Sequence, residues 1–231
     1  MGFREDCAEW SNEFGVMLDR NKIIDGNALL YTGAKLVILR KLNDLRMKDL
    51  DTYFHMLSST EVAPGLLDRY GKPGDKQQHD DYIGMLAASA VCDDGVFARR
   101  VVNHGKRHWW SWNNQDGKWA LWSFFVRQPG FWATAKAAAG KWLNPFDSTM
   151  AVGDLLYCVL FGKGSSGLLM NYLQYHTYVR NCCPFVHPGL RLGCFIFRKL
   201  YLRKFPKGIK ESYSDYFGPD YPFAKLPDGF F

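Results

Sequence analysis

The chain has 231 residues, of which 47% are hydrophobic, 16% aromatic and 23% charged, with a formal net charge of +6. That apolar content suits one large globular domain, or two small ones tightly packed, and excludes an intrinsically disordered chain. Residues 1–6 are charged and Asp6 stands where a myristoylation signal needs Ser or Thr; no apolar run approaches the ~20 residues that cross a bilayer, so no secretory signal and no membrane partner are expected.

In chain order, residues 3–20 predict a first helix, because Phe3, Cys7, Trp10, Phe14, Met17 and Leu18 recur at helical spacing. A loop over 21–27 leads to a strong helix over 28–42, with Asn27 or Asp25 as its cap. A third helix is expected over 44–57, and Pro64–Gly65 marks a turn after it. Residues 64–79 read as a long polar loop, a length that in compact domains tends to be functional. The loop delivers His79–Asp80–Asp81 to the start of an apolar helix that ends near Cys92, and a helix over 96–104 follows.

Residues 105–120 form a Trp-rich insertion carrying Trp109, Trp110 and Trp112, with a turn at Asp116–Gly117. Helices are expected over 119–126 and 131–143, separated by Pro129–Gly130, then over 147–161 with Asp147–Ser148 as the cap. The Gly-rich stretch 162–167 is a linker; its Lys is misplaced for a phosphate loop and no strand precedes it. A helix over 168–179 and a basic one after Pro188–Gly189 complete the body. From Phe205 onward the chain is rich in Pro, Gly and Tyr and shows no helical period. The expectation is therefore a single helical domain over 1–204 and an extended aromatic tail over 205–231, held on its own domain or by a partner.

This pattern has little β signal, so the fold class expected is all-α: helical hairpins in an α/α-toroid-like arrangement or an irregular multi-helix bundle. Of the six cysteines, none forms a CxxC pair, and Cys182–Cys183 with His187 and Cys194 fits no closed tetrahedral zinc pattern. Neither a metal nor another cofactor is expected, and the thiols are read as reduced.

Three apolar helices start from acidic loops, at Asp25, at His79–Asp80–Asp81 and at Asp147. A single acid at a helix start is a cap, favoured by the free N–H groups and the dipole. Two adjacent acids beside a histidine exceed what one cap needs, and like charges placed together often mark a site. If the three starts share one mouth, Asp80, Asp81, Asp25 and His79 are the candidate catalytic residues. The second candidate surface is the basic stretch 191–210, with Arg198 and Arg203 among seven cations and no acid. It is either a contact for phosphate or an acidic partner, or a solvated helix face.

The run from Asp25 to Thr32, the run from Glu61 to Tyr70 and His79–Asp80–Asp81–Tyr82–Ile83–Gly84 together resemble a group of uncharacterised bacteriophage-encoded proteins. The resemblance spans roughly the first 95 residues and implies a helical, α/α-toroid-like core. It also implies a virion-associated or assembly protein, made in the host cytoplasm and then carried in the virion. The expected partners are other virion or assembly proteins, or further copies of the chain. In that reading Tyr221, Phe230 and Phe231 anchor the tail on a neighbour, and Arg198 and Arg203 add charge. The alternative is a carbohydrate-active enzyme or glycan-binding module of α/α-toroid shape, in which a carboxylate pair works across a cleft and Trp109, Trp110 and Trp112 stack on sugar rings of a polysaccharide. Nucleic-acid binding through 191–210 is the weakest reading, since no recognition motif accompanies the charge.

Overall fold

A computed structural model describes residues 2–24, 26–76, 79–107, 121–141, 143–161, 165–182, 188–204 and 208–230. The expectations resting on Asp25, Trp109, Trp110, Trp112, His187 and Phe231 lie outside these residues. The fold is all-α, an irregular multi-helix bundle with one small sheet. Among the described residues no helix is long and apolar enough to cross a membrane.

The centre is a crossing of two helices that are buried almost all round, α2 (Ala28–Lys41) and α4 (His79–Val91). Helices of this kind belong inside a protein, because no face of them is polar enough for water. They approach closely because each offers a glycine at the crossing: a Cβ on Gly33 would lie 2.2 Å from the Gly84 carbonyl oxygen, and one on Gly84 2.5 Å from the Leu29 carbonyl oxygen. Backbone thus packs on backbone, and Leu29, Leu30, Met85 and Leu86 fill the core around it.

Around this pair, α8 (Ser165–Cys182) packs on α4, α6, α10 and α2, while α6 (Leu121–Ala138), α7 (Pro145–Phe161) and α9 (Pro188–Lys204) stack beside it, with α7 in contact with both. The expected break at Pro129–Gly130 does not occur; α6 runs through it. One proline removes one helical hydrogen bond, that to the carbonyl four residues before it, and the helix continues; beside it the Tyr178 hydroxyl of α8 donates to the Gly130 carbonyl at 3.0 Å and ties this part of α6 to α8.

The first helix, α1 (Phe3–Glu9), ends well before residue 20. The Asn12 side chain accepts the N–H groups of Phe14 and Val16 at 3.1 and 2.9 Å, and such local side-chain bonds compete directly with the helix ladder. Gly15 then takes φ +80, and Ser11 bridges to Met17. Next come α3 (Met47–Thr60) and, where a loop was expected, an antiparallel three-stranded meander: β1 (Glu61–Ala63), β2 (Leu66–Arg69) and β3 (Lys72–Lys76). Its turns depend on Gly65 and Gly71 at φ +81 and +74. The strands are too short to show alternation, and their stability is tertiary: the Tyr82 hydroxyl accepts the Leu67 N–H at 2.6 Å, and Arg100 of α5 (Gly95–Arg107) pairs with Glu61 at 2.5 Å.

The tail is neither extended nor without helix. Residues 208–217 form α10 (Gly208–Phe217), followed by a 3-10 turn over Pro222–Lys225. Both fold back onto the body against α1 and α8. Tyr213, Tyr221 and Phe223 are fully buried, with Tyr221 edge-on to Trp10 at 5.0 Å and Tyr213 edge-on to Tyr31 of α2 at 5.9 Å. Lys225 adds an ion pair to Asp6 at 2.8 Å. The helical period is hard to read because α10 is short and, among its described residues, buries only Ile209, Tyr213 and Phe217.

Candidate functional site

At two of the acidic helix starts the carboxylate, Asp81 or Asp147, joins one helix to another. Asp81 has no exposed surface, and its Oδ1 accepts the N–H of Leu30 at 2.9 Å. Leu30 is the third residue of α2, so a carboxylate from α4 caps the neighbouring helix from outside, in favour of its positive end. That corrects the reading of Asp81 as an acid or base in an open mouth. His79 is 9% exposed, with its ring against Phe131, and Asp80 is half-buried. Asp147 pairs with Lys136 of α6 at 2.7 Å, and it does not cap α7; Asn144 Oδ1 does, by accepting the Asp147 N–H at 2.7 Å. Asp81 thus works at the α2–α4 crossing and Asp147 at the α6–α7 contact.

The aromatic contacts expected of the tail also change. Tyr221 is buried inside the chain's own core and so is corrected from a partner contact to a core residue. Phe230 packs partly against that core, and the Lys41 ammonium sits 4.1 Å from its ring centroid.

Two features remain, and they differ in kind. The first is α9. Its inner side buries Leu190, Cys194, Phe197 and Tyr201, and Gly193 lets the backbone close onto Val152 of α7. Its outer side is also apolar: Leu192 and Phe195 are 61% and 60% exposed, and Ile196 and Leu200 follow at 39% and 38%. These four lie at i, i+3, i+4 and i+8, which is one stripe of a helix. Arg198, Lys199 and Arg203 are exposed beside them, and α9 contains no acid. The end of α9 is fixed by Lys204, whose Nζ donates to the Val159 and Leu160 carbonyls at 2.5 and 2.8 Å, closing the C-terminus of α7. Leu160, itself exposed, extends the apolar surface there.

The second is a cleft of about 270 Å3 between α1, the 11–15 loop, α2 and α3, lined by Arg4, Ser11, Asn12, Lys35, Lys48 and Asp49 among others. Lys35 is 7% exposed. Its Nζ donates to the Gly15 carbonyl at 2.8 Å and to Ser11 Oγ at 3.3 Å, two neutral oxygens. The nearby Asp49 is already engaged: it binds the Arg4 guanidinium through both oxygens at 3.2 and 2.8 Å and accepts the Arg46 N–H at 2.8 Å. Burial lowers the Lys35 pKa from its ordinary range, and the same burial pushes the neighbouring Cys7 thiol up to about 12. The sequence patterns above do not select this cleft. The available signal is that Lys35 is the only charged residue in 28–39.

No protein-family model matches the chain, and neither a curated protein nor a solved structure matches it.

Proposed function

We propose that this protein is a docking component of a larger assembly, a virion or assembly protein of the kind its N-terminal motifs resemble, and that α9 is its contact. The observation that carries this reading is the outer stripe of Leu192, Phe195, Ile196 and Leu200, flanked by Arg198, Lys199 and Arg203. Large apolar side chains repeated at helical spacing on the solvent side cost free energy unless something covers them. A helix laid in a groove uses this pattern of anchors. The cations fix the chemistry of the partner: a protein whose apolar groove is bordered by Asp and Glu, steered by charge and held by apolar burial. Tyr213, Phe217, Tyr221 and Phe223 of the tail are buried in the chain's own core.

The test is site-specific photocrosslinking in the cell that makes the protein, with a photoreactive residue at Leu192. The expected product is one crosslinked protein, lost at high salt and lost in Arg198→Glu/Arg203→Glu. Crosslinks only between copies of the chain would replace the partner by a second copy. Crosslinks unaffected by charge reversal and salt, or none at all, would overturn the reading.

A further inference from the structure

We propose that the cleft beside Lys35 binds a small carbonyl compound carrying a carboxylate, and that Lys35 Nζ joins it as an imine. The argument starts from charge. An ammonium at 7% exposure with two neutral oxygens as partners and no ion pair among the described residues is an uncompensated buried charge, which a protein avoids by holding the amine neutral. The surrounding groups divide: Arg4 and Lys48 favour the neutral form as burial does, whereas Asp49 and Cys7 oppose it, and Asp49 is committed to Arg4. A neutral amine has two hydrogens, and Nζ has two acceptors, the Gly15 carbonyl and Ser11 Oγ. Its lone pair is then left for a carbon electrophile, in a cleft large enough to admit one. A buried, neutral lysine is the activated form of this nucleophile.

The cleft also indicates which carbonyl compound. Lys48 lines it as an exposed cation outside any ion pair among the described residues, and Ser11, Asn12 and Thr52 add polar groups. A 2-oxo acid meets both requirements, with its carbonyl at Lys35 and its carboxylate at Lys48. In the step, the Nζ lone pair attacks the carbonyl carbon and forms the C–N bond while the C=O π pair moves to oxygen. That oxygen takes up both amine protons, with Ser11 Oγ placed to relay them, and leaves as water as the C=N bond forms. Nothing is oxidised or reduced.

The experiment is reductive trapping of the folded, full-length protein with glyoxylate and cyanoborohydride near neutral pH, followed by peptide mapping. Lys35 is expected to take the adduct first, ahead of every surface lysine, since burial lowers its pKa and so raises the fraction of the amine that is neutral. Lys48→Ala should slow trapping of glyoxylate at Lys35 but leave trapping of acetaldehyde, which has no carboxylate, unchanged. Lys35→Met should melt at or above the parent temperature and lose the adduct; if that variant does not fold, mapping of the parent protein decides alone. Adducts spread over surface lysines with Lys35 unmodified, or Lys35 modified only after unfolding in urea, would overturn the proposal.

Discussion

Adding one methyl group at Gly33 should damage this protein more than almost any other single-carbon change. The Cβ would stand 2.2 Å from the Gly84 carbonyl oxygen, 2.6 Å from its carbon and 2.7 Å from its Cα, where ordinary contact begins at 3.4 Å. All three atoms are backbone, so no rotamer change relieves the clash, and α2 and α4 must separate by about an ångström. That separation loosens the packing of Leu29, Leu30, Met85 and Leu86 and stretches the 2.9 Å bond from the Leu30 N–H to Asp81. Overpacking costs up to about 3 kcal/mol and a strained buried hydrogen bond about 1 kcal/mol. The intrinsic preference of helices for Ala over Gly returns about 1 kcal/mol. The net expectation for Gly33→Ala is a loss of about 3 kcal/mol, or roughly 6–12 °C in melting temperature for a chain of this size. Urea unfolding followed by circular dichroism measures it. The matched control is Gly153→Ala on α7, exposed, with nothing within 4 Å of the added carbon; propensity alone acts there, and a gain of about 0.5–1 kcal/mol is expected. If both variants move stability in the same direction, or if Gly33→Ala costs under about 1 kcal/mol, the backbone-on-backbone account of the crossing is wrong.

Three further outcomes are expected. Arg4→Leu strands Asp49, whose side chain is 4% exposed, and should destabilise by about 3–5 kcal/mol as judged by urea midpoint. Asp81→Ala leaves the buried Leu30 N–H without its acceptor and should cost about 1–3 kcal/mol in thermal unfolding, with Asp81→Asn closer to the parent because Oδ1 still accepts. His176 lies near Lys41, Arg180 and Arg198, and burial first, then these cations, lower its pKa from 6.5 to about 4. The unfolded chain therefore binds the proton before the folded one does, so stability falls as pH drops from 6.5 towards 4, by up to about 3 kcal/mol. Subtracting the pH profile of His176→Phe should flatten that window; an unchanged slope would mean other groups set the acid limb.

The parts of the fold legible in the sequence are those where burial is one-sided or complete over several turns. The helix over 28–42 and the one starting at His79 were readable because an apolar run that long has nowhere to go but the interior. The misreadings share another cause, which is that a distant residue decided the local structure. Tyr82 holds β2 through the Leu67 N–H, and Tyr178 supports α6 at Gly130. None of these partners is visible within a sequence window. The sites failed for the same reason. Periodicity finds the apolar stripe 192–200 but cannot say that Phe197 and Tyr201 already supply the buried face, leaving the other outside. Lys35 was present as an anomaly in an apolar helix, but its meaning depends on a loop that folds over it.

The acids and the cations of this protein do different work. Asp49 holds Arg4, Asp81 caps α2, Asp94 accepts both the Tyr53 hydroxyl and the Val96 N–H, Asp68 accepts the Gly74 N–H, and Glu61 holds Arg100. Each of these carboxylates closes a helix start, a strand turn or a contact between elements. The cations beside the outer stripe of α9 have no acid within their helix to answer them. The outer side of α9 is therefore a surface whose charge is positive only. Acid-to-amide substitutions should move stability and leave association alone. Charge reversal on α9 should change association and leave stability nearly untouched, since exposed charges away from partners shift it by only about 0.5 kcal/mol. A protein whose catalytic acids were those of the helix starts would show the opposite pairing.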